Sequence, residues 1–130
     1  MIISINAASD LAIYDQIVRQ IKFAVASEVL QTGEMVPSVR EMAKQTAVNP
    51  NTVSRAYREL QSDGVLEMVR GTGLAVTKGA LKKCRRDRQA LIQERLRAVL
   101  EEAVQSQLAA DDIRTLCESE LTRLNGKEIA

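Results

Sequence analysis

The stretch PSVREMAKQTAVNPNTVSRAYRELQSDG, residues 37–64, holds two helix starts and a helix stop, and its reading decides the fold. Ser38 is followed three residues later by Glu41, the spacing of a capping box in which a hydroxyl and a carboxylate satisfy two orphan backbone amides. A helix therefore begins at Val39, and TAVNP interrupts it near Thr46. Asn49 is a favoured cap, and Pro50 falls at the first helical position, where a missing amide proton costs nothing. The next helix runs from Pro50 to about Asp63, with Gly64 placed to end it in a left-handed turn. Two helices joined by about four residues make a helix-turn-helix.

Upstream, Ile13, Ile17, Ile21, Ala24 and Val25 recur at helical spacing, which predicts a helix over 11–30, broken at QTGE with Gly33 as the turn residue. The β-branched start MIISI reads as a short edge strand. Downstream, VLEMVRGTGLAV, residues 65–76, places two short apolar stretches around RGTG, the pattern of a hairpin. From Ala80 to about Leu108 a broad apolar stripe runs through Leu81, Cys84, Leu91, Ile92, Leu96, Val99, Ala103 and Val104. A last helix over 111–124 carries Ile113, Leu116, Cys117, Leu121 and Leu124, with two acids favourable at its start. The fold class expected is mainly α with a small β component (α+β): a winged helix-turn-helix over 1–78 and a two-helix dimerisation tail over 79–130. Two helices cannot enclose a pocket of several hundred cubic ångströms, but they can bury their stripes against a second copy.

Composition narrows the function. The chain has 130 residues, 45% apolar and 27% charged, enough for one compact domain with an appendage. It has no histidine, which removes the commonest general base and every Ser-His or Cys-His nucleophile, so no catalysis and no cofactor are expected. Two distant cysteines, Cys84 and Cys117, suggest neither a metal cluster nor a disulfide framework and read as buried small hydrophobes. Three aromatics, Tyr14, Phe23 and Tyr57, leave little to stack single-stranded bases. No apolar run approaches a membrane span and the start lacks signal-peptide character, so a cytoplasmic protein is expected. A net charge of +1 means that attraction to a polyanion must come from local clustering.

The second helix of the pair supplies that clustering. At 100° per residue, Val53, Ala56, Tyr57 and Leu60 share one side, while Asn51, Arg55, Arg58 and Ser62 fall opposite, flanked by Thr52 and Ser54. A solvated helix face is the plain alternative, but exposed helices favour Glu and Lys over this Asn, Thr, Ser and Arg set. Short polar groups and arginines at the amino end suit base edges in a major groove, where arginine pairs with guanine and asparagine with adenine. GTG in the hairpin lacks the lysine and hydroxyl of a phosphate-binding loop.

Residues 37–76, with IYDQIVRQIKFAVASEVLQTGE before them, resemble the winged helix-turn-helix of GntR-family bacterial transcription regulators, over roughly 11–78 of the chain. NPNTVSRAY with a short two-helix tail resembles the YtrA subfamily. The resemblance implies binding of double-stranded operator DNA as a homodimer, most simply as a repressor on an inverted repeat. It places Arg40, Asn51, Thr52, Ser54 and Arg55 near the operator, with the wing residues Arg70, Gly71, Thr72 and Gly73 at the minor groove or backbone. Arg58, further along the helix, suits a phosphate. Many family members carry arginine where Ser54 stands, and here Arg55 follows instead. A winged helix that binds another protein without specific DNA binding remains the alternative; it would want an apolar or acidic helix face. KKCRRDR, residues 82–88, sets five basic residues against one acid at a helix amino end, where they oppose the macrodipole, so contact with DNA backbone and a solvated segment packed elsewhere both stay open. The operator, the regulated genes and any small-molecule effector are not legible.

Overall fold

The computed structural model describes residues 3–129 and contains α1 (Ile13–Ala26), α2 (Val39–Thr46), α3 (Pro50–Ser62), β1 (Leu66–Val69), β2 (Gly73–Val76), α4 (Ala80–Gln105) and α5 (Ala110–Ile129). The caps act as the residue types dictate. The Ser38 hydroxyl accepts from the Glu41 amide, and the Glu41 carboxylate accepts from the Ser38 amide. Asn49 Oδ1 accepts from the Asn51 amide at 2.8 Å, with Pro50 opening α3. Gly64 (φ +77°) ends α3, and the Val65 amide reaches back to the Leu60 carbonyl at 2.9 Å. The link between α2 and α3 turns at Ala47, a non-glycine residue at φ 55° and ψ 39°.

One core joins α1, α3 and the base of the hairpin. Ile17, Ile21 and Val25 of α1 meet Val53, Ala56 and Leu60 of α3, with Met42 of α2 and Val65, Leu66 and Val76 closing the sides. β1 and β2 pair antiparallel, Leu66 opposite Val76 and Val69 opposite Gly73. The free edge of β2 is taken by residues 33–36: Gly33 donates to the Val76 carbonyl, Val76 to Glu34 and Val36 to Leu74. The wing is thereby tied to the chain entering α2.

Several expectations need correction. Residues 3–5 form no strand, and Met1 and Ile2 lie outside the described residues. Two glutamines one turn apart on α1 take the place of a partner strand: Gln20 exchanges two hydrogen bonds with the Ser4 backbone (2.9 and 2.6 Å), and Gln16 does so with Asn6 (2.8 and 2.9 Å). α1 is shorter than 11–30, because the chain turns at Glu28 (φ 62°) to bury Leu30. Cys84 is buried, and burial pushes its thiol up to about 11, which keeps it protonated. Cys117 is exposed, not buried, as no described residue of α5 is fully buried.

Contacts divide the chain into two compact units, residues 1–90 and 91–130. The first unit extends past 78 because Ala80 and Cys84 at the start of α4 are part of its core. Lys22 secures that start. Its buried ammonium reaches Asp63, just after α3, at 2.9 Å and Asp87 of α4 at 3.1 Å, and Asp87 also receives Lys83 at 3.1 Å. Burial alone would lower the Lys22 pKa, but hydrogen bonds from the ammonium to the two aspartates hold it above the ordinary 10.5. For Asp87 burial acts upward, and the hydrogen bonds from Lys22 and Lys83 outweigh it, so its carboxyl lies below the ordinary 3.8. The second unit holds the rest of α4 and α5, joined by a left-handed turn at Gln107 (φ 72°).

Lys22→Met leaves two carboxylates facing each other without their cation. Because both aspartates are partly solvated, a loss of about 1–3 kcal/mol in chemical denaturation is expected, less than for a fully buried pair. Asp87 contributes fully above its ordinary value and loses that contribution as pH falls through its lowered one; Lys22 contributes fully below 10.5 and loses it as pH rises through its raised one. The difference between variant and parent is therefore constant near neutrality and narrows below about pH 4. Ala47→Gly relieves the left-handed alanine in the interhelical turn and raises stability by about 0.5–1 kcal/mol in the same measurement.

Candidate nucleic-acid interface

Burial of Val53, Ala56, Tyr57 and Leu60 turns the opposite side of α3 to solvent, and Asn51, Arg55 and Arg58 are all exposed there. Tyr57 holds the register from inside. Its hydroxyl donates to the Pro37 carbonyl at 2.7 Å, and burial, with Glu41 adding to it, pushes the phenol's pKa well up, so it remains a donor. That bond links α3 to the segment that leads into α2.

The expected site residues separate into two groups. Ser54, Arg58 and Thr72 line one groove of about 620 Å³ between α3 and the wing, floored by Met35, Val39 and Leu74. Ser54 is half-buried against that groove, whereas Arg55 is exposed and turns the other way. Its guanidinium carbon stands 3.7 Å above the centre of the Tyr14 ring, in the first turn of α1. Adjacent positions on a helix point 100° apart, so Ser54 and Arg55 serve opposite flanks of the same face. Thr52 is half-buried and Asn51 lies between the flanks.

The wing tip is a tight turn. The Thr72 amide donates to the Val69 carbonyl at 2.9 Å, and Gly71 takes the positive φ of +76° that such a turn demands. Gly73 has φ +128°, which strains any residue with a side chain, and a Cβ there would stand 3.3 Å from the Met35 methyl, which would have to shift slightly. Arg70 is exposed at the tip, and Arg40 is exposed on α2. Among the described residues no hydrogen bond or ion pair engages the guanidinium of Arg40, Arg58 or Arg70, unlike those of Arg19, Arg85, Arg114 and Arg123.

Two of the five basic residues in the run 82–88 are committed elsewhere. Lys83 pairs with Asp87, and Arg85 donates to the Ala26 carbonyl at 3.1 Å and lies 3.6 Å from Glu28. Lys82 and Arg86 remain exposed. Among the described residues no group of three His, Cys, Asp or Glu could hold a metal ion, and no helix is long and apolar enough to cross a membrane. Reading the sequence did not single out Tyr14: it precedes Ile17 by three and Val18 by four, the spacing of a core residue.

The profile of the bacterial regulatory proteins of the gntR family matches residues 13–76. The HTH-type transcriptional repressor YtrA of Bacillus subtilis is 36% identical over 101 residues, 78% of this chain and 78% of that protein. The chain belongs to the GntR family. Its members are transcription regulators and not enzymes, and the winged helix-turn-helix is their DNA-binding part. A GntR family transcriptional regulator from Listeria monocytogenes matches with a TM-score of 0.69 at 27% identity, over 85% of this chain and 96% of that one. The DNA-binding domain of AraR, solved in complex with operator ORE1, matches with a TM-score of 0.50 at 25% identity, over 56% of this chain and 89% of that one.

Asn49 sets where α3 begins, and so where its polar face starts. Asn49→Ala removes the acceptor for the Asn51 amide and costs about 1 kcal/mol of stability in urea denaturation. The variant should also show faster amide exchange confined to the first turn of α3.

Proposed function

We propose that this GntR-family regulator binds a specific operator as a homodimer and represses transcription by occupying it. One observation carries the reading: α3 keeps Asn51, Arg55 and Arg58 exposed over a fully buried inner face, with the unpaired Arg40 and Arg70 on the neighbouring elements. The face is neither apolar nor acidic, as a protein-docking surface would require. In this reading Asn51, Thr52, Ser54 and Arg55 meet base edges at the amino end of α3. Arg40, Arg58 and the wing residues Arg70, Gly71 and Thr72 meet phosphates and the minor groove. The cytoplasm, where operator DNA is found, is the place of action.

The homodimer rests on the second unit. Ile92, Leu96, Val99 and Val104 of α4 and Leu116, Leu121 and Leu124 of α5 are exposed in the single chain, and a concentration of large exposed apolar side chains marks an interaction surface. A second copy of the same two helices buries it by symmetry. Two recognition helices then address half-sites about one helical turn apart, or a multiple of it.

Selection of bound duplexes from a random pool should return an inverted repeat, while scrambled duplex binds orders of magnitude more weakly. Equal retention of scrambled and enriched duplexes would sink the proposal, as would sedimentation of a monomer at the working concentration. Arg40→Gln, Arg58→Gln and Arg70→Gln should each flatten the slope of log affinity against log salt by about 0.9 per lost phosphate contact, with Lys83→Gln leaving it unchanged. Asn51→Ala should cost about 1–3 kcal/mol and relax preference at one base pair per half-site.

A further inference from the structure

Arg55 differs from every other arginine of the α3 and wing face in having a partner for its flat side and none for its edge. The guanidinium carbon is 3.7 Å from the centre of the Tyr14 ring. Among the described residues no acceptor engages its N–H groups. A planar guanidinium carries its five donors in its own plane, so stacking consumes none of them. The platform beneath is firm: Tyr14 is half-buried, packs on the hydrophobic core, and sits in the first turn of α1, which lies against α3 through that core. Among the described residues the Tyr14 hydroxyl has no hydrogen-bond partner, so its ring alone is in use.

Direction follows from helix geometry. Side chains on a helix lean toward its amino end, and Arg55 comes four residues after Asn51 and three after Thr52. Its head is thereby carried beside the first turn of α3, where base edges are met.

We infer that Tyr14 is a positioning residue for DNA recognition: its ring holds the Arg55 guanidinium edge-on toward the operator, so that one rotamer of a long side chain is selected before DNA arrives. This rests on the operator-binding reading above. An unsupported arginine loses rotamer freedom on binding, and pre-organisation removes part of that loss. A cation–π contact at a half-exposed site is worth about a two- to fivefold change in affinity. The gain is specific, because a scrambled duplex offers Arg55 phosphates at many angles and no bidentate base edge in register with the other contacts.

The test uses the full chain, an enriched duplex and a scrambled one of equal length, with dissociation constants measured for Tyr14→Leu and Tyr14→Phe in parent and Arg55→Ala backgrounds. Tyr14→Leu should weaken the enriched duplex about two- to fivefold and leave the scrambled one unchanged. Tyr14→Phe should match the parent, and Tyr14→Leu should add nothing once Arg55 is alanine. Equal loss on both duplexes, additive losses, or tighter binding by Tyr14→Leu would each overturn the role, the last by showing that the ring holds Arg55 away from DNA. Thermal unfolding runs alongside, and Tyr14→Met replaces Tyr14→Leu if the latter fails to fold. If the parent protein itself binds both duplexes alike, the operator reading fails. If Arg55→Ala abolishes the preference while Tyr14→Leu keeps it, only the role of Tyr14 fails.

Discussion

Burial of the inner face of α3 is the constraint from which the rest follows. Val53, Ala56 and Leu60 are fully excluded from water and Tyr57 nearly so, which removes rotational freedom of the helix about its axis. Each such aliphatic side chain contributes roughly 1.5–3 kcal/mol relative to exposure, so a slip of one residue would bury Arg55 in place of Ala56, or Ser54 and Arg58 in place of Val53 and Tyr57, at prohibitive cost. The Tyr57 hydroxyl adds a directional check by bonding Pro37. A face that reads DNA needs this rigidity more than it needs any one polar group, since a misplaced arginine reads nothing.

The polar side of α3 is consequently divided by its neighbours. Ser54 looks into the groove shared with the wing, with Arg58 and Thr72, while Arg55 leans on α1. Family members with arginine at the place of Ser54 would direct a long cation into the wing groove. This chain directs it toward α1, where a tyrosine receives it. The neighbouring hairpin depends on small residues for its own placement: Gly71 makes the turn and Gly73 adopts a φ that strains any residue with a side chain.

Charge serves the fold at the start of α4. Lys22, Asp63, Asp87 and Lys83 form one network across α1, the end of α3 and α4. The basic run at 82–88 opposes the helix dipole, and the compensation is found in these pairs and in the Arg85 bond to Ala26. A violation of a local rule thus marked tertiary packing here, for the part of the run that is paired. The second unit follows another logic: among the described residues Ile92, Leu96, Val99 and Val104 of α4 and Leu116, Leu121 and Leu124 of α5 stay exposed.

Local sequence determined what local chemistry controls. Ser38 with Glu41, Asn49 with Pro50, and Gly64 placed both helices of the helix-turn-helix to within a residue, because a cap acts over three or four positions of chain. The hairpin around RGTG and the outward face of α3 were legible for the same reason, as turn and period are properties of short stretches. Contacts between residues distant in sequence were decided only by the tertiary structure. Gln16 and Gln20 look like any polar helix residues until the arm of residues 3–6 lies beside them, and the strand read from MIISI gave way to that arrangement. Lys22 carries no sign of Asp63 or Asp87, and Tyr14 none of Arg55, 41 positions later, because such pairs exist only once the core has brought α1 against α3.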